Sequence, residues 1–505
     1  MAFSQRSCGI FAHVSSLPGN EGLGNIGESA FEFLEFLSRS KQSCWAILPL
    51  GPVNPRYNNN PYISLSSFAG DEDLLYIGLL YQQGLVTGQE YQEFQQALSS
   101  AGNWQAIKTL KRKILFSVGA RFWHHAPPDL RSHFEAFCEA NQDWLEDYAF
   151  FRAIKDFYHG QAWDDWPDDI ANRDTGSLHS ARKALDGPIA SYKYLQFEFS
   201  RQWLSMRAFA KARGIKIFGD MPFFCGFDSA DAWANPDLFV LRQSSHPASM
   251  VAAFPPSRNC LTGQIWDTCP MYAWNYHESQ GFQWMVRRME VLFERVDLVR
   301  LDHFQGYLGS WCVPLRASSA RDCSWLPCPG DQLLEKWTGI FAYDKFVAED
   351  IGFFPDTVIE LRDRWKLAGM KVLHYAFDTD HTNPHLPHNF HTADIVVYTG
   401  THDTDTSLGW HGDIPESQKQ NLRKYIGSYC DKEVNWSLMQ FGANSIANQF
   451  IIPLQDVLGL GSDSRMNIPD TEDAGWDWVC ERGALNSQLA NTLADLVIKT
   501  KRTAL

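Results

Sequence analysis

Acidic and basic side chains gather at four places in this chain where an apolar run ends. Gly219-Asp220-Met221-Pro222 closes one run and Arg300-Leu301-Asp302-His303 a second. Ala348-Glu349-Asp350 closes a third, and Gly400-Thr401-His402-Asp403 a fourth. Taken singly, an ion pair closing a strand, such as Arg300 with Asp302, is a sufficient account. Taken together they need another. Crowded carboxylates repel, and burial raises their pKa values unless cations or hydrogen bonds compensate, so such clusters persist mainly where chemistry requires them. Two chemistries compete. His303, Glu349, His402 and Asp403 are eligible ligands for a divalent metal. No His-x-His or His-Glu-x-x-His spacing occurs, however, and Arg300, on the same strand face as Asp302, is a poor neighbour for a cation. Glycoside chemistry fits better, because it needs one ionised carboxylate beside another that keeps its proton near neutral pH.

Eight apolar runs could serve as the strands that bring these ends together: 8–14, 44–50, 216–224, 297–304, 346–351, 370–377, 394–401 and 449–454. They lack clear alternation, as strands covered on both faces do. Segments between the later runs read as helices, as right-handed βα crossovers require. The expected fold class is therefore α/β, a (β/α)8 TIM barrel, in which the C-terminal strand ends carry the chemistry. Residues 89–159 favour helix and are rich in charge and aromatics, so a mostly helical insertion spanning 71–200 is expected between the second and third barrel strands. Within it, 164–187 is polar and turn-prone and reads as a surface loop. Without repeats, low-complexity tracts or long linkers, residues 1–505 are expected to form a single catalytic domain with additional loop insertions.

The formal net charge of −15 argues against nucleic acid or an anionic membrane as a partner. The 19 Trp, 17 Tyr and 34 Phe are more than a core alone suggests, which leaves some as flat stacking surfaces. Eleven scattered cysteines, without a repeated Cys-x-x-Cys, point to free thiols in a reducing compartment. Cys323 and Cys328 stand close, but no second pair completes a zinc pattern. No stretch approaches the roughly 18 apolar residues of a membrane span. A soluble, cytoplasmic enzyme is expected.

Distinctive blocks occur in a fixed order along the chain. They include Ser15-Ser16-Leu17-Pro18-Gly19, Leu48-Pro49-Leu50-Gly51-Pro52, Asp228-Ser229-Ala230-Asp231-Ala232-Trp233 and Arg300-Leu301-Asp302-His303-Phe304. Ala348-Glu349-Asp350-Ile351-Gly352, Thr401-His402-Asp403 and Arg465-Met466-Asn467-Ile468-Pro469 follow. In these the chain resembles, almost end to end, the 4-α-glucanotransferases of the amylomaltase (disproportionating enzyme) family in the α-amylase clan. The resemblance implies retaining cleavage of α-1,4-glucosidic bonds in a maltodextrin donor and transfer to the 4-OH of glucose or another glucan. Asp302 matches the nucleophile and Glu349 the general acid/base, with the two carboxyls expected about 5–5.5 Å apart. Asp403 matches the carboxylate that holds the 2- and 3-hydroxyls of the reacting sugar. His402 and Arg300 match residues that order the sugar and the nucleophile, Tyr62 an aromatic near the scission site, and Asp220 a supporting position. Gln264 and Trp266 match a loop contacting acceptor-side sugars, with Asp378 and Asn467 weaker candidates on that side. No cofactor is implied, because side chains supply acid, nucleophile and stabiliser. The alternative activities are a hydrolytic α-glucanase of the same clan and a non-catalytic glucan binder.

The departures fall mostly on the acceptor side. Asn60 stands where the family usually has Ser, Gln305 where it has Arg, and Thr404 where it has Asn. The loop Phe254-Pro255-Pro256-Ser257-Arg258-Asn259-Cys260 lacks the usual Asp-Tyr-Phe, and Asp267-Thr268-Cys269-Pro270 replaces Gly-Asn-Pro. Acceptor choice and the ratio of transfer to hydrolysis are expected to differ accordingly.

Overall fold

Among the described residues of the computed structural model (6–99, 104–241, 249–256, 263–352, 356–469 and 475–502), twelve strands form two sheets. In chain order the strands are β1 (Ser7–Phe11), β2 (Cys44–Ala46), β3 (Lys216–Met221), β4 (Met250–Phe254), β5 (Gln264–Pro270) and β6 (Leu298–Leu301). They continue as β7 (Gly309–Pro314), β8 (Ser324–Pro327), β9 (Phe346–Ala348), β10 (Gly369–Val372), β11 (Ile395–Tyr398) and β12 (Gln449–Pro453). Eight of them pair in parallel in the order β10-β11-β12-β1-β2-β3-β6-β9. A bridge from Val347 to Ala368, with the Ala348 amide donating to the Ala368 carbonyl at 2.8 Å, links β9 to the start of β10 and closes the barrel. Each barrel strand overlaps one of the eight apolar runs. The runs overshoot where the backbone must turn: Pro222 has no N–H to continue β3, and Leu373–Tyr375 tightens into a 3-10 turn after β10.

Inside the barrel, Cys44, Phe218, Leu298, Val347, Val396 and Tyr398 pack against one another. A strand side chain returns to the same face every second residue. Continuing from that inner layer, the next inward positions are Asp220 on β3, Arg300 on β6 and Glu349 just past β9. The sequence therefore delivers charge to one end of the barrel by periodicity alone.

Between β2 and β3 the chain is mostly helical, from Ile77–Gln82 to the long Asp186–Ala212. The surface loop expected at 164–187 is a correction: Asp168–Ala171 and Thr175–Ala184 are helices, and Asp186–Ala212 begins within the segment. Asp174 caps the second of these, accepting from the Ser177 amide at 2.9 Å. None of that helix's residues is fully buried, and only the narrow stripe of Leu178 and Ala181, with Leu185 just beyond, packs against the core, so its apolar signal is weak. A second correction concerns Gln264 and Trp266, expected on a loop. They begin β5 of an antiparallel sheet ordered β5-β4-β7-β8, inserted between barrel strands β3 and β9. Its central pair, β4 with β7, joins strands far apart along the chain, and neither sequential pair, β4–β5 nor β7–β8, is closed by the tight two-residue turn that a sequence announces. Among the described residues, no helix is long and apolar enough to cross a membrane.

Candidate active site

Three carboxyl side chains converge on one guanidinium. Arg300 Nη1 donates to Asp220 Oδ1 at 2.9 Å and Oδ2 at 2.7 Å, and to Asp302 Oδ1 at 3.0 Å. Its Nη2 lies 3.5 Å from Glu349 Oε2. The backbone beyond the strand ends is pinned by continued ladder bonds, from the Asp302 amide to Met221 O (3.2 Å) and from the Glu349 amide to Leu301 O (3.1 Å). His303 then turns the chain in the left-handed region, at φ 48°. This conformation is unfavourable for a side-chain-bearing residue and is found most often where function fixes it. Here it aims the His303 amide at Glu349 Oε2, 2.6 Å away. The nucleophile candidate and the acid candidate are thus tied through adjacent residues of one turn.

Their surroundings set their charges apart. Burial, reinforced by the charges of Asp302 and Asp403 and opposed by Arg300 and the His303 amide, pushes the Glu349 carboxyl up to about 8. Burial also acts to raise Asp403, but His402 and Asn467 hold it well below the ordinary carboxylate range. Asn467 Nδ2 donates to Asp403 Oδ1 at 2.7 Å, and His402 Nε2 lies 3.2 Å from Asp403 Oδ2. Asp220 is raised by burial against the pull of Arg300, and accepts from the Tyr62 hydroxyl at 2.7 Å. One carboxyl is therefore set to hold a proton near neutral pH, and another to stay ionised.

Arg300 is the buried counter-charge for this group, with 8% of its side chain exposed. Removing one member of a buried ion network leaves the others uncompensated and typically costs about 3–5 kcal/mol. Arg300→Met should lower unfolding free energy at pH 7 by that amount in denaturant titrations. The loss should shrink toward pH 5, where the stranded carboxyls take up protons. An unchanged midpoint would show that they are balanced elsewhere.

An open cleft of about 730 Å³ runs over these groups, lined among others by Tyr62, Gln264, Trp266, Asp302, Glu349, His402, Asp403 and Asn467. Tyr62 stacks on His402 with ring centroids 5.1 Å apart. Trp266 meets His303 edge to face at 5.5 Å, and its indole N–H donates to Gln264 Oε1 at 3.1 Å. Asp220 and Arg300 sit beneath the cleft floor, in the barrel mouth. Asp378 is not brought to the cleft. It is exposed in the turn after β10, where its carboxylate accepts from the Asp380 amide and from Asn383 Nδ2, both at 3.0 Å. Asn60 accepts from the Tyr62 amide at 2.9 Å, a turn bond that Ser could also make. Thr404 spends its hydroxyl on its own turn, at Thr401 N and O. Of the altered 254–260 loop, residues 257–260 lie outside the described residues; Asp267, Thr268 and Cys269 line the cleft.

Several cleft residues had no sequence signal. Trp476 packs 5.8 Å from both Tyr62 and His402, though more than seventy positions separate it from either. Phe224 and its neighbours are held by the buried Arg288, which donates to Pro222 O at 2.7 Å and Phe223 O at 3.3 Å. Arg56 and Tyr57 line the cleft on a segment anchored by Asn54, whose Nδ2 donates to Asp228 Oδ2 at 2.9 Å. Lys155, from the helical insertion, donates to the same oxygen at 2.6 Å. Buried polar anchors of this kind are visible only once the chain is folded.

Comparison with known proteins places this geometry among relatives. The model of a family described as 4-alpha-glucanotransferase matches residues 12–484. A 4-alpha-glucanotransferase from Synechocystis is 37% identical over 97% of this chain and 97% of its own. One from Thermus thermophilus is 38% identical over 98% of this chain and 99% of its own. An amylomaltase from Streptococcus agalactiae, solved in complex with acarbose, superposes with a TM-score of 0.92 at 28% identity, covering 99% of this chain and 100% of that one.

Proposed function

The chain belongs to the 4-alpha-glucanotransferase family, and on that premise we propose how its own side chains carry out the transfer. It is a glycosyl-transferring enzyme that acts on α-1,4-glucans such as maltodextrins and passes the cleaved glucan to glucose or another glucan. The observation that carries the mechanism is the shared Arg300 guanidinium, which holds Asp302 and Glu349 side by side at the cleft floor.

Glu349, protonated, donates to the departing glycosidic oxygen while Asp302 attacks the anomeric carbon, and a covalent glycosyl-enzyme results. Glu349, now ionised, accepts the proton of the acceptor 4-OH as that oxygen displaces Asp302. Retention of configuration follows from the two displacements. Asp403, kept ionised, accepts from the 2- and 3-hydroxyls, bonds that tighten as the ring flattens in the transition state. Tyr62, Gln264, Trp266, His402 and Asn467 hold the sugars along the cleft, with Arg300 and Asp220 beneath. Asp378 is the weakest of these candidates, since it lies exposed in the turn after β10 and outside the cleft lining. We treat residues 1–505 as one catalytic domain with 71–200 as a helical insertion, and place the enzyme in the cytoplasm, where free thiols such as Cys8, Cys44 and Cys225 stay reduced.

The hydrolytic alternative is less favoured, since the relatives are named as transferases. Water is far more concentrated than any sugar, so transfer wins only where a bound acceptor excludes it and aligns its hydroxyl. Asp267, Thr268 and Cys269 alter that wall of the cleft, so some hydrolytic leakage is expected. Incubation with maltotriose separates the two: transfer gives a ladder of longer maltodextrins plus glucose. Accumulation of glucose and maltose with nothing longer than the substrate would refute it.

A further inference from the structure

One buried carboxylate ties the helical insertion to two stretches that line the cleft. Asp228 has none of its side chain exposed. Its Oδ2 accepts from Lys155 Nζ at 2.6 Å and from Asn54 Nδ2 at 2.9 Å, and its Oδ1 from the Trp163 amide at 3.3 Å. Lys155 and Trp163 belong to the insertion, and Lys155, itself buried, also donates to Gln161 O at 3.0 Å. On the cleft side Asn54 has a second bond. Its Oδ1 caps the turn Pro55–Tyr57, accepting from the Arg56 amide at 3.1 Å. Two left-handed residues follow, Asn58 at φ 53° and Asn59 at φ 57°. A turn flanked in this way has little regular structure of its own to hold it, so its place depends on the anchor.

The residue before Asp228 reaches the second stretch. The Phe227 amide donates to Thr268 O at 2.7 Å, and the Phe227 carbonyl accepts from the Trp163 indole N–H at 2.7 Å. Thr268 sits where β5 breaks register: Trp266 pairs with Ala252 and Pro270 with Val251, which leaves 267–269 without partners on β4. Bulged residues re-aim the strand that carries them, and these three line the cleft. The Phe227 bond therefore pins the bulge from outside its own sheet. Tyr57 lies between the two stretches: burial and the charges of Asp228, Asp164 and Asp267, opposed by Arg56, raise its hydroxyl well above the ordinary range.

We propose that Asp228 is a positioning residue for the acceptor: through Asn54 it sets the Arg56–Tyr57 turn, through the Phe227 backbone it sets the bulge of β5, and so the insertion fixes the wall that receives the incoming sugar. The proposal rests on the reading of β5 as the acceptor side of an α-glucan cleft. Asn54, Lys155 and Asp228 do not themselves line the cleft, so they act only through the wall they hold. A displaced wall leaves bond breaking at Asp302 and Glu349 as it was, but grips the acceptor less well and admits water.

The test uses α-maltosyl fluoride as donor and glucose as acceptor, with Asn54→Ala, Asn54→Ser and Lys155→Met beside the unaltered enzyme. Serine can still cap the Arg56 amide, but its one oxygen cannot also reach Asp228, so it separates the local cap from the anchor. Both Asn54 variants should raise the glucose KM roughly three- to tenfold, as loss of one such hydrogen bond implies, and send more of the glycosyl-enzyme to water. Lys155→Met should do the same from the far side of Asp228. The burst of fluoride that reports glycosylation should stay within about twofold throughout. An unchanged glucose KM in Asn54→Ser overturns the proposal, because the cap alone would then suffice, and so does an unchanged KM in Lys155→Met. A fluoride burst that falls in step with the rise in KM overturns it too, since a merely structural role would produce that. Should Lys155→Met fail to fold, Asn54→Ser decides, because it strands no charge. If the unaltered enzyme gives neither burst nor transfer, the activity reading itself fails, and this proposal with it.

Discussion

Asp302→Asn should leave the cleft intact and the enzyme almost inert, with kcat on maltotriose down by on the order of 10⁴ to 10⁶. The carboxamide has nearly the shape of the carboxylate, and its oxygen can still accept from Arg300 Nη1, which now reaches Asp302 at 3.0 Å. What it lacks is the negative charge that must form a bond to the anomeric carbon. The side chain is 22% exposed and part of the charge network, so folding should change little. Mass spectrometry of enzyme quenched with a slow fluorinated donor should find a glycosyl adduct on the peptide holding residue 302, and none in the variant. Retention of more than about one per cent of turnover would remove Asp302 from the nucleophile's role.

Glu349→Gln should lower maltotriose turnover by roughly 10² to 10⁴, the usual worth of a general acid/base. The loss depends on the leaving group. Fluoride departs without a proton, so α-maltosyl fluoride should still glycosylate the variant. The adduct should then accumulate, because no base remains to activate the acceptor. The same carboxyl sets the pH dependence. It works protonated, so kcat/KM should fall on the alkaline side of a midpoint near the value of about 8 to which burial pushes it. The linked stability has a definite sign: the raised pKa leaves full stability below the ordinary value of 4.5, and stability is lost as pH rises through about 8. Glutamine carries no such charge. Glu349→Gln should therefore melt above the unaltered enzyme at pH 9 and level with it at pH 4; the opposite order would place the proton elsewhere.

The barrel was readable because its strands are buried on both faces, so Ile10, Val299, Val347 and Val397 stand in continuous apolar runs that exposed segments cannot mimic. Asp302, Glu349 and Asp403 were readable for a related reason: each follows such a run within a few residues, and a chain seldom puts charge there without use. The antiparallel sheet was hidden. β8 is largely exposed, β5 mixes Asp267 and Thr268 with apolar residues, and β4 finds its inner partner only after β6 has been laid down in the barrel. Trp476 and Arg288 were hidden too, since what they touch depends on closure of the whole chain. Asp378 stands apart: a carboxylate after a barrel strand resembled a site residue, and the structure places it in an exposed turn, where each of its oxygens accepts one bond from that turn.

β6 and β7 are joined by the short connection 302–308, so the strand that ends at the proposed nucleophile, Asp302, runs directly into the sheet whose β5 lines one wall of the cleft. This wall is not a detachable module. A chimera that imports only the β4–β5 hairpin from a relative must mate it with a foreign β7. Any misfit there would be transmitted along one continuous stretch of backbone to Asp302. Acceptor preference in this enzyme should be inherited, or engineered, only as a block reaching from β4 through β8.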